Sequence, residues 1–259
     1  MNKLLIIAAI WMAGQFTVPF APRPQVSAGC TPPTVTSRWA GSNNTGTNNC
    51  GSSGTSPCTN GSVLYYWIDS VGGNTAGPLF GASSVHYVTG VLNSLPAANF
   101  PGSSYSQKVL STPIPTSIVS YSFAATFDTL AASTAQALFG PQTSVGGISW
   151  SINSSGKQQL CISSCVSGTT VFSTSTFYTI TASYNTATNA WAFQKCSGGT
   201  CTSDGSGTTS LGTASNAIST IGQLTTGVNG LNGNIVEIDY YNGSSITGEG
   251  AWSYCQYGV

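Results

Sequence analysis

The stretch FYTITASYNTATNAWAFQK, residues 177–195, decides how the chain is read. Side chains alternate across a strand, so Tyr178, Ile180, Ala182 and Tyr184 share one side and Thr179, Thr181 and Ser183 the other. The polar run NTATN, 185–189, breaks the alternation, and AWAFQK resumes it with Trp191 and Phe193. Two alternating runs flanking a short turn predict an antiparallel hairpin with one buried and one polar face.

The same period recurs along the chain. IVSYSFAATF (118–127) groups Val119, Tyr121, Phe123, Ala125 and Phe127, and ISWSI (148–152) groups Ile148, Trp150 and Ile152. VLYYWID (63–69), rich in aromatic and β-branched residues, predicts another strand. NIVEIDYY (234–241) is the last, with Val236, Ile238 and Tyr240 on one side and Glu237, Asp239 and Tyr241 on the other. No stretch keeps a long 3.6-residue period, although ASTAQALFG (132–140) predicts one or two helical turns. Short alternating strands separated by Gly, Asn and Ser predict an all-β protein, a two-sheet antiparallel sandwich of the jelly-roll kind.

The N-terminus predicts export. Lys3 precedes an apolar stretch from Leu4 to Met12, and Val26-Ser27-Ala28 supplies small residues before Gly29, the layout of a signal peptide over 1–28. A buried N-terminal strand or helix is the alternative, and Ser27-Ala28-Gly29-Cys30 loosely resembles a lipobox. The apolar stretch is shorter than the ~20 residues of a membrane span. Residues 29–62, with a loop bounded by Cys50 and Cys58, and the main body over 63–259 then form one domain, secreted or surface-associated. Four Asn-x-Ser/Thr patterns begin at Asn43, Asn60, Asn153 and Asn242.

Charged residues are 5% of the chain and the formal net charge is zero. With no basic stripe to neutralise phosphates, nucleic acid is not an expected partner. Low charge also removes repulsion between copies and permits self-association. The chain holds eight cysteines, an even number. Sequence leaves many connectivities open, but close spacing across turns favours Cys50 with Cys58, Cys161 with Cys165 and Cys196 with Cys201. No cofactor or metal motif is present, and a structural calcium ion has no motif to support it.

LYYWIDSVGGNTAGPLF with VLNSLPAANFPGSS, then FYTITASYNTATNAWAFQ, then GLNGNIVEIDYYNGSSIT together resemble the concanavalin A-like (laminin-G-like) jelly-roll superfamily, in the family's order and over nearly the whole chain after residue 29. Val71-Gly72 interrupts the family's S-G-N element, and Pro101 replaces its F-D-G aspartate, which removes an acidic calcium ligand there. First and last strands lie side by side in such domains. The resemblance therefore implies bridging reach for Cys30 and Cys255, against the alternatives that Cys30 is lipidated or bonds another subunit.

The superfamily includes laminarinase-type glycoside hydrolases whose active strand reads E-x-D-x-x-E or E-x-D-x-E. Here Glu237 and Asp239 match, Tyr241 stands in the third acid's place, and Glu249 lies beyond the Asn242-Gly243 turn. Glu237 and Asp239 are thus the alternative catalytic pair, expected otherwise to be solvated or hydrogen-bonding residues on a sheet face. Carbohydrate contacts are expected from Trp67, Asp69 and Asn74 around the VGGN loop, from His86 and Tyr87, and from Tyr241. Trp150 and Trp191 fall on apolar strand faces and are expected in the core. The leading expectation is a secreted, non-enzymatic domain that binds glycans or a cell surface. A structural subunit of an extracellular filament, surface layer or virion exterior is second, and a laminarinase-like hydrolase third.

Overall fold

The computed structural model describes residues 30–78, 85–102, 107–129, 134–141, 146–224, 229–243 and 246–259. The expected signal peptide lies outside the described residues. In chain order the strands are β1 (Ser37–Ala40), β2 (Ala76–Pro78), β3 (His86–Leu92), β4 (Leu95–Pro101), β5 (Lys108–Ile114), β6 (Ser120–Thr129), β7 (Gln136–Gly140) and β8 (Ser149–Ile152). There follow β9 (Gln158–Cys161), β10 (Cys165–Ser167), β11 (Tyr178–Asn185), β12 (Ala190–Ser197), β13 (Thr200–Thr208), β14 (Ile218–Ile221), β15 (Asn232–Asn242) and the helix α1 (Glu249–Tyr257).

They form two antiparallel sheets. The larger has the order β13-β12-β11-β6-β15-β4-β3, with β1 added beside β15, and the smaller runs β10-β9-β8-β7-β14-β5-β2. The expected all-β two-sheet sandwich is what the chain adopts. The β11–β12 hairpin forms with Tyr184 opposite Trp191 and Ala182 opposite Phe193. Phe123 of β6 sits where the sheets meet, 5.2 Å from Phe139, 5.8 Å from Trp150 and 6.0 Å from Tyr240, ring centre to ring centre. Burying such side chains contributes roughly 1.5–3 kcal/mol each, which makes this inter-sheet layer the main source of stability.

Three local expectations differ. VLYYWID makes isolated bridges, Val63 to His86 and Trp67 to Ala76, instead of a continuous ladder strand. Its backbone instead serves several neighbours, with Leu64 N–H donating to Val85 and the Tyr65 and Tyr66 N–H groups to Asn49. ASTAQALFG contributes Gln136–Gly140 to strand β7 rather than a helix, because Ala137, Leu138 and Phe139 are all buried in the sheet. In β15 the register against β6 shifts between Ile235 and Glu237. Val236 is the extra residue of a bulge and joins Ala97 and Tyr257 on the outer side, while Ile235, Ile238 and Tyr240 enter the main core.

All four expected disulfides form: Cys30–Cys255, Cys50–Cys58, Cys161–Cys165 and Cys196–Cys201. Cys30–Cys255 spans 225 residues and ties α1 to the segment leading into β1. Closing so long a loop stabilises by roughly 5 kcal/mol in the chain-entropy view. Replacing both cysteines with serine should therefore lower the unfolding free energy by roughly 4–5 kcal/mol in denaturant titrations. An unchanged midpoint would contradict the clasp.

Candidate functional site

The outer face of the larger sheet carries an unusual group of charges. β1 pairs with β15 so that Arg38 lies directly opposite Asp239, and Trp39, one residue on, faces the core. Arg38 donates through Nε and Nη2 to Asp239, at 3.1 and 2.7 Å, and its Nε lies 3.5 Å from Glu237 Oε2. α1 then closes over the top. Trp252 Nε1 donates to Glu237 Oε1 at 2.6 Å, Tyr257 OH to Glu237 Oε2 at 2.7 Å, and Tyr241 OH to Glu249 Oε2 at 2.7 Å. The Arg38 guanidinium stacks 5.2 Å from the Trp252 ring centre.

Glu237, Asp239 and Glu249 are 2%, 0% and 3% exposed. The expectation of solvated carboxylates on the strand face is corrected: they hydrogen-bond, but under a lid of helix. Their oxygens come within 4.8 Å of one another, a separation at which a divalent cation could be held. In this cluster the guanidinium supplies the positive charge. Two like charges ~5 Å apart repel by roughly 3 kcal/mol at an effective dielectric of ~20, so three ionised carboxylates around one arginine are unfavourable.

Burial pushes the Glu237 carboxyl up against the pull of Arg38. Burial, then the charges of Glu237 and Glu249, pushes Asp239 well up despite Arg38. Burial and Glu237 raise Glu249 to about 7. Burial alone would lower the Arg38 guanidinium, but the hydrogen bonds and charge of Asp239 outweigh it and hold it above its ordinary value. The carboxyls titrate as one system, and the folded cluster retains protons that the unfolded chain would release. Among the described residues they are buried and already hydrogen-bonded.

A second buried acid acts locally. Asp204 of β13 accepts from Gln158 Nε2 at 2.6 Å, from the Thr169 and Thr170 N–H groups at 3.0 and 2.6 Å, and from Thr169 Oγ1 at 2.9 Å. It thereby closes the sandwich edge between β9 of the smaller sheet and β13 of the larger. Burial would raise it, but these hydrogen bonds dominate and hold it below its usual value. Asp69 and Asp128 are buried as well, so every one of the six acidic residues is turned inward.

The carbohydrate candidates are placed as follows. Trp67 is fully buried, its Nε1 donating to Ala40 O. Asp69 accepts the N–H groups of Arg38, Val71, Gly72 and Asn74, and Asn74 is engaged with Ser111 and Thr112 of β5. These three do come together, as the inner frame of the VGGN loop. Tyr87 is buried with its hydroxyl on Thr45, and His86 is half-buried on β3 opposite Asn99. Tyr241 belongs to the carboxylate cluster. The rings of Trp67, Tyr87 and Tyr241 therefore present no open face for a sugar to stack on. Trp150 is fully buried and Trp191 partly so, packed on the core as expected.

Sequence reasoning missed Arg38, Trp252 and Tyr257, and set Glu249 apart from the strand pair that it joins. The available signal was scarcity: with six basic residues in the chain, an arginine beside a tryptophan in a strand-like TSRWA needed a buried partner.

An open feature lies on the same outer face. A groove of about 300 Å³ is lined by Ser183, Asn185, Thr188, Ala190 and Ala192, with Tyr184 and Trp191. Tyr184 and Trp191 turn to the core, so alternation puts the side chains of Ser183 and Ala192, paired across the hairpin, on the outer side. Small residues floor the groove, and no charged residue lines it.

No family model matches the chain, and comparison with curated proteins finds no match. Among solved structures, it is similar to domain 4 of AbnA, a GH43 extracellular arabinanase from Geobacillus stearothermophilus, in complex with arabinotriose. There the TM-score is 0.57 at 16% identity, over 87% of this chain and 100% of that one. It is also similar to the Trypanosoma rangeli sialidase in complex with the inhibitor DANA, at TM-score 0.56 and 14% identity, over 89% of this chain. This chain spans about a third of that sialidase, 36% of its length. At these identities the likeness is one of fold. No helix among the described residues is long and apolar enough to cross a membrane.

The cluster and Asp204 set opposite pH limbs. A carboxyl raised in the fold supplies stability that is complete below the unfolded value of about 4 and is lost as pH rises through the folded value. For Glu249 that folded value is about 7. Asp204, held low, supplies stability above its unfolded value that is lost as pH falls through its folded one. Thermal unfolding followed from about pH 3 to about pH 9 should peak in the mildly acidic range. Glu249→Gln should flatten the alkaline limb and Asp204→Asn the acid limb.

Proposed function

We propose that this protein is a secreted, disulfide-stapled sandwich of the concanavalin A-like type that binds neutral glycans without hydrolysing them. The observation that carries this reading is the inward placement of all six carboxylates. In most families a retaining or inverting glycosidase works through two carboxyl groups open to the scissile bond. Glu237 and Asp239 are instead shut beneath α1 and bonded to Arg38, Trp252 and Tyr257. The exterior is left rich in hydroxyl, amide and backbone groups, the chemistry that bonds sugar hydroxyls, with Tyr66 and Tyr254 among its exposed side chains. An anionic sugar would need a cation, and the groove beside the hairpin has none. The neighbour solved with arabinotriose shows that a similar fold is compatible with a neutral oligosaccharide. The four disulfides fit an oxidising, extracellular location.

The nearly uncharged exterior also favours a second reading, a structural subunit that packs against copies of itself or a cell-surface component. The two readings separate on a panel of neutral, sialylated and uronate-containing oligosaccharides. The first predicts binding of neutral members, no cleavage of any, and loss of binding by at least about tenfold in Ala192→Trp, which fills the groove at a cost of ~1.4 kcal/mol or more. No binding across the panel, with concentration-dependent assembly in sedimentation, would replace it with the second. Hydrolysis lost in Glu237→Gln would contradict both.

A further inference from the structure

We propose that α1 is a pH-released cover, latched over the outer face of the larger sheet by the Arg38 cluster in mild acid and freed at its N-terminal end in alkali, while Cys30–Cys255 keeps it tethered. This stands apart from glycan binding and rests on how the helix is attached.

The hinge is Gly248, the residue before the helix, at φ +83° and with no side-chain cap to the helix N-terminus. A side chain there would meet nothing within 4 Å, so the hinge residue itself is unpacked. The tether is Cys255 near the other end. Apolar hold is concentrated at that same C-terminal end, where Tyr257 packs with Ala97 and Val236 and with half-buried Val88, Leu92, Leu95 and Phe177 around them. Over the β12–β13 hairpin the helix rests its backbone, with Gly250 close against Cys201 and the Gly199 carbonyl. The latch is therefore polar: Glu249 on Tyr241, with Trp252 and Tyr257 on Glu237.

The groups facing Glu249 come from every element around it. β1 brings Arg38, β15 brings Glu237, Asp239 and Tyr241, and α1 itself brings Trp252 and Tyr257. β6 offers Ser122, Ala124, Thr126 and, further along, Asp128, which is buried and accepts from Asn234; β11 offers Thr179, Thr181 and Ser183; and the β12–β13 hairpin offers Gln194 and the Cys196–Cys201 disulfide. Lys195 turns the other way, 5.0 Å over the Tyr178 ring. One guanidinium thus faces three carboxyls across a strand–helix boundary. When the last of them ionises, like charges on the strand and on the helix stand within 4.8 Å. β15 cannot yield, because it is paired with β6 on one side and with β1 and β4 on the other. The helix can. Ionised Glu249 gains something from the helix N-terminus, but that gain moves with the helix and does not oppose its departure. Release uncovers Glu237 and the neighbouring Arg38–Asp239 pair, shut in acid.

Fluorine NMR of the full chain labelled with 5-fluorotryptophan tests this, with the Trp252 resonance assigned by its loss in Trp252→Phe. As pH rises through neutrality the Trp252 signal should move to a solvent-exposed shift while the Trp39, Trp67 and Trp150 signals stay. In Glu249→Gln it should remain at the docked position throughout. A Trp252 signal that does not move would overturn the proposal. So would one that moves equally in Glu249→Gln, or one that moves together with the core tryptophans, which is global unfolding.

Discussion

The bidentate pair between Arg38 and Asp239 is the constraint around which the rest of the outer face is arranged. A buried guanidinium needs an acid, and a buried acid needs hydrogen bonds on every lone pair it keeps. The β1–β15 register meets the first need by placing the two residues opposite each other. It leaves Glu237 and Glu249 to be satisfied from above, and the aromatic donors of α1 and Tyr241 do so. Removing the helix would leave these groups facing water on a surface otherwise nearly free of charge. The Cys30–Cys255 bridge binds the two ends of this arrangement, joining the lead-in to β1 with the helix.

Much of the fold was legible because period-two alternation reports directly on a sandwich core. Tyr178, Ile180, Ala182 and Tyr184 face inward as their spacing implies, and Phe123 and Trp150 meet where their strands cross. Cysteine spacing was equally informative. What alternation could not show was the bulge at Val236, since an inserted residue breaks the period only in the presence of its partner strand. Helix α1 was hidden for a related reason. EGAWSYCQY has a central aromatic load and an interior glycine, so its helicity depends on the clasp and the cluster rather than on propensity.

The site candidates taught a different lesson. Trp67, Asp69, Asn74, Tyr87 and Tyr241 have the residue types that bind sugars, but the fold uses them to bond its own backbone and side chains. In a chain with so few charges, an acidic residue is more valuable inside, where it gathers N–H groups, than outside. Asp69 and Asp204 each organise a loop in this way. The surface left for recognition carries no acidic side chain, and the groove at the β11–β12 hairpin is floored by its smallest residues.

A double-mutant cycle between Arg38 and Asp239 tests the central claim most directly. If the pair organises the cluster, Arg38→Met and Asp239→Leu should each cost roughly 3–5 kcal/mol, because the first removes the cation the buried carboxyls share and the second strips Arg38 of its bidentate acceptor. The double variant should recover a large part of that loss, giving a coupling energy of at least about 2 kcal/mol. Additive losses, with coupling near zero, would show that Arg38 and Asp239 act independently and would contradict the account.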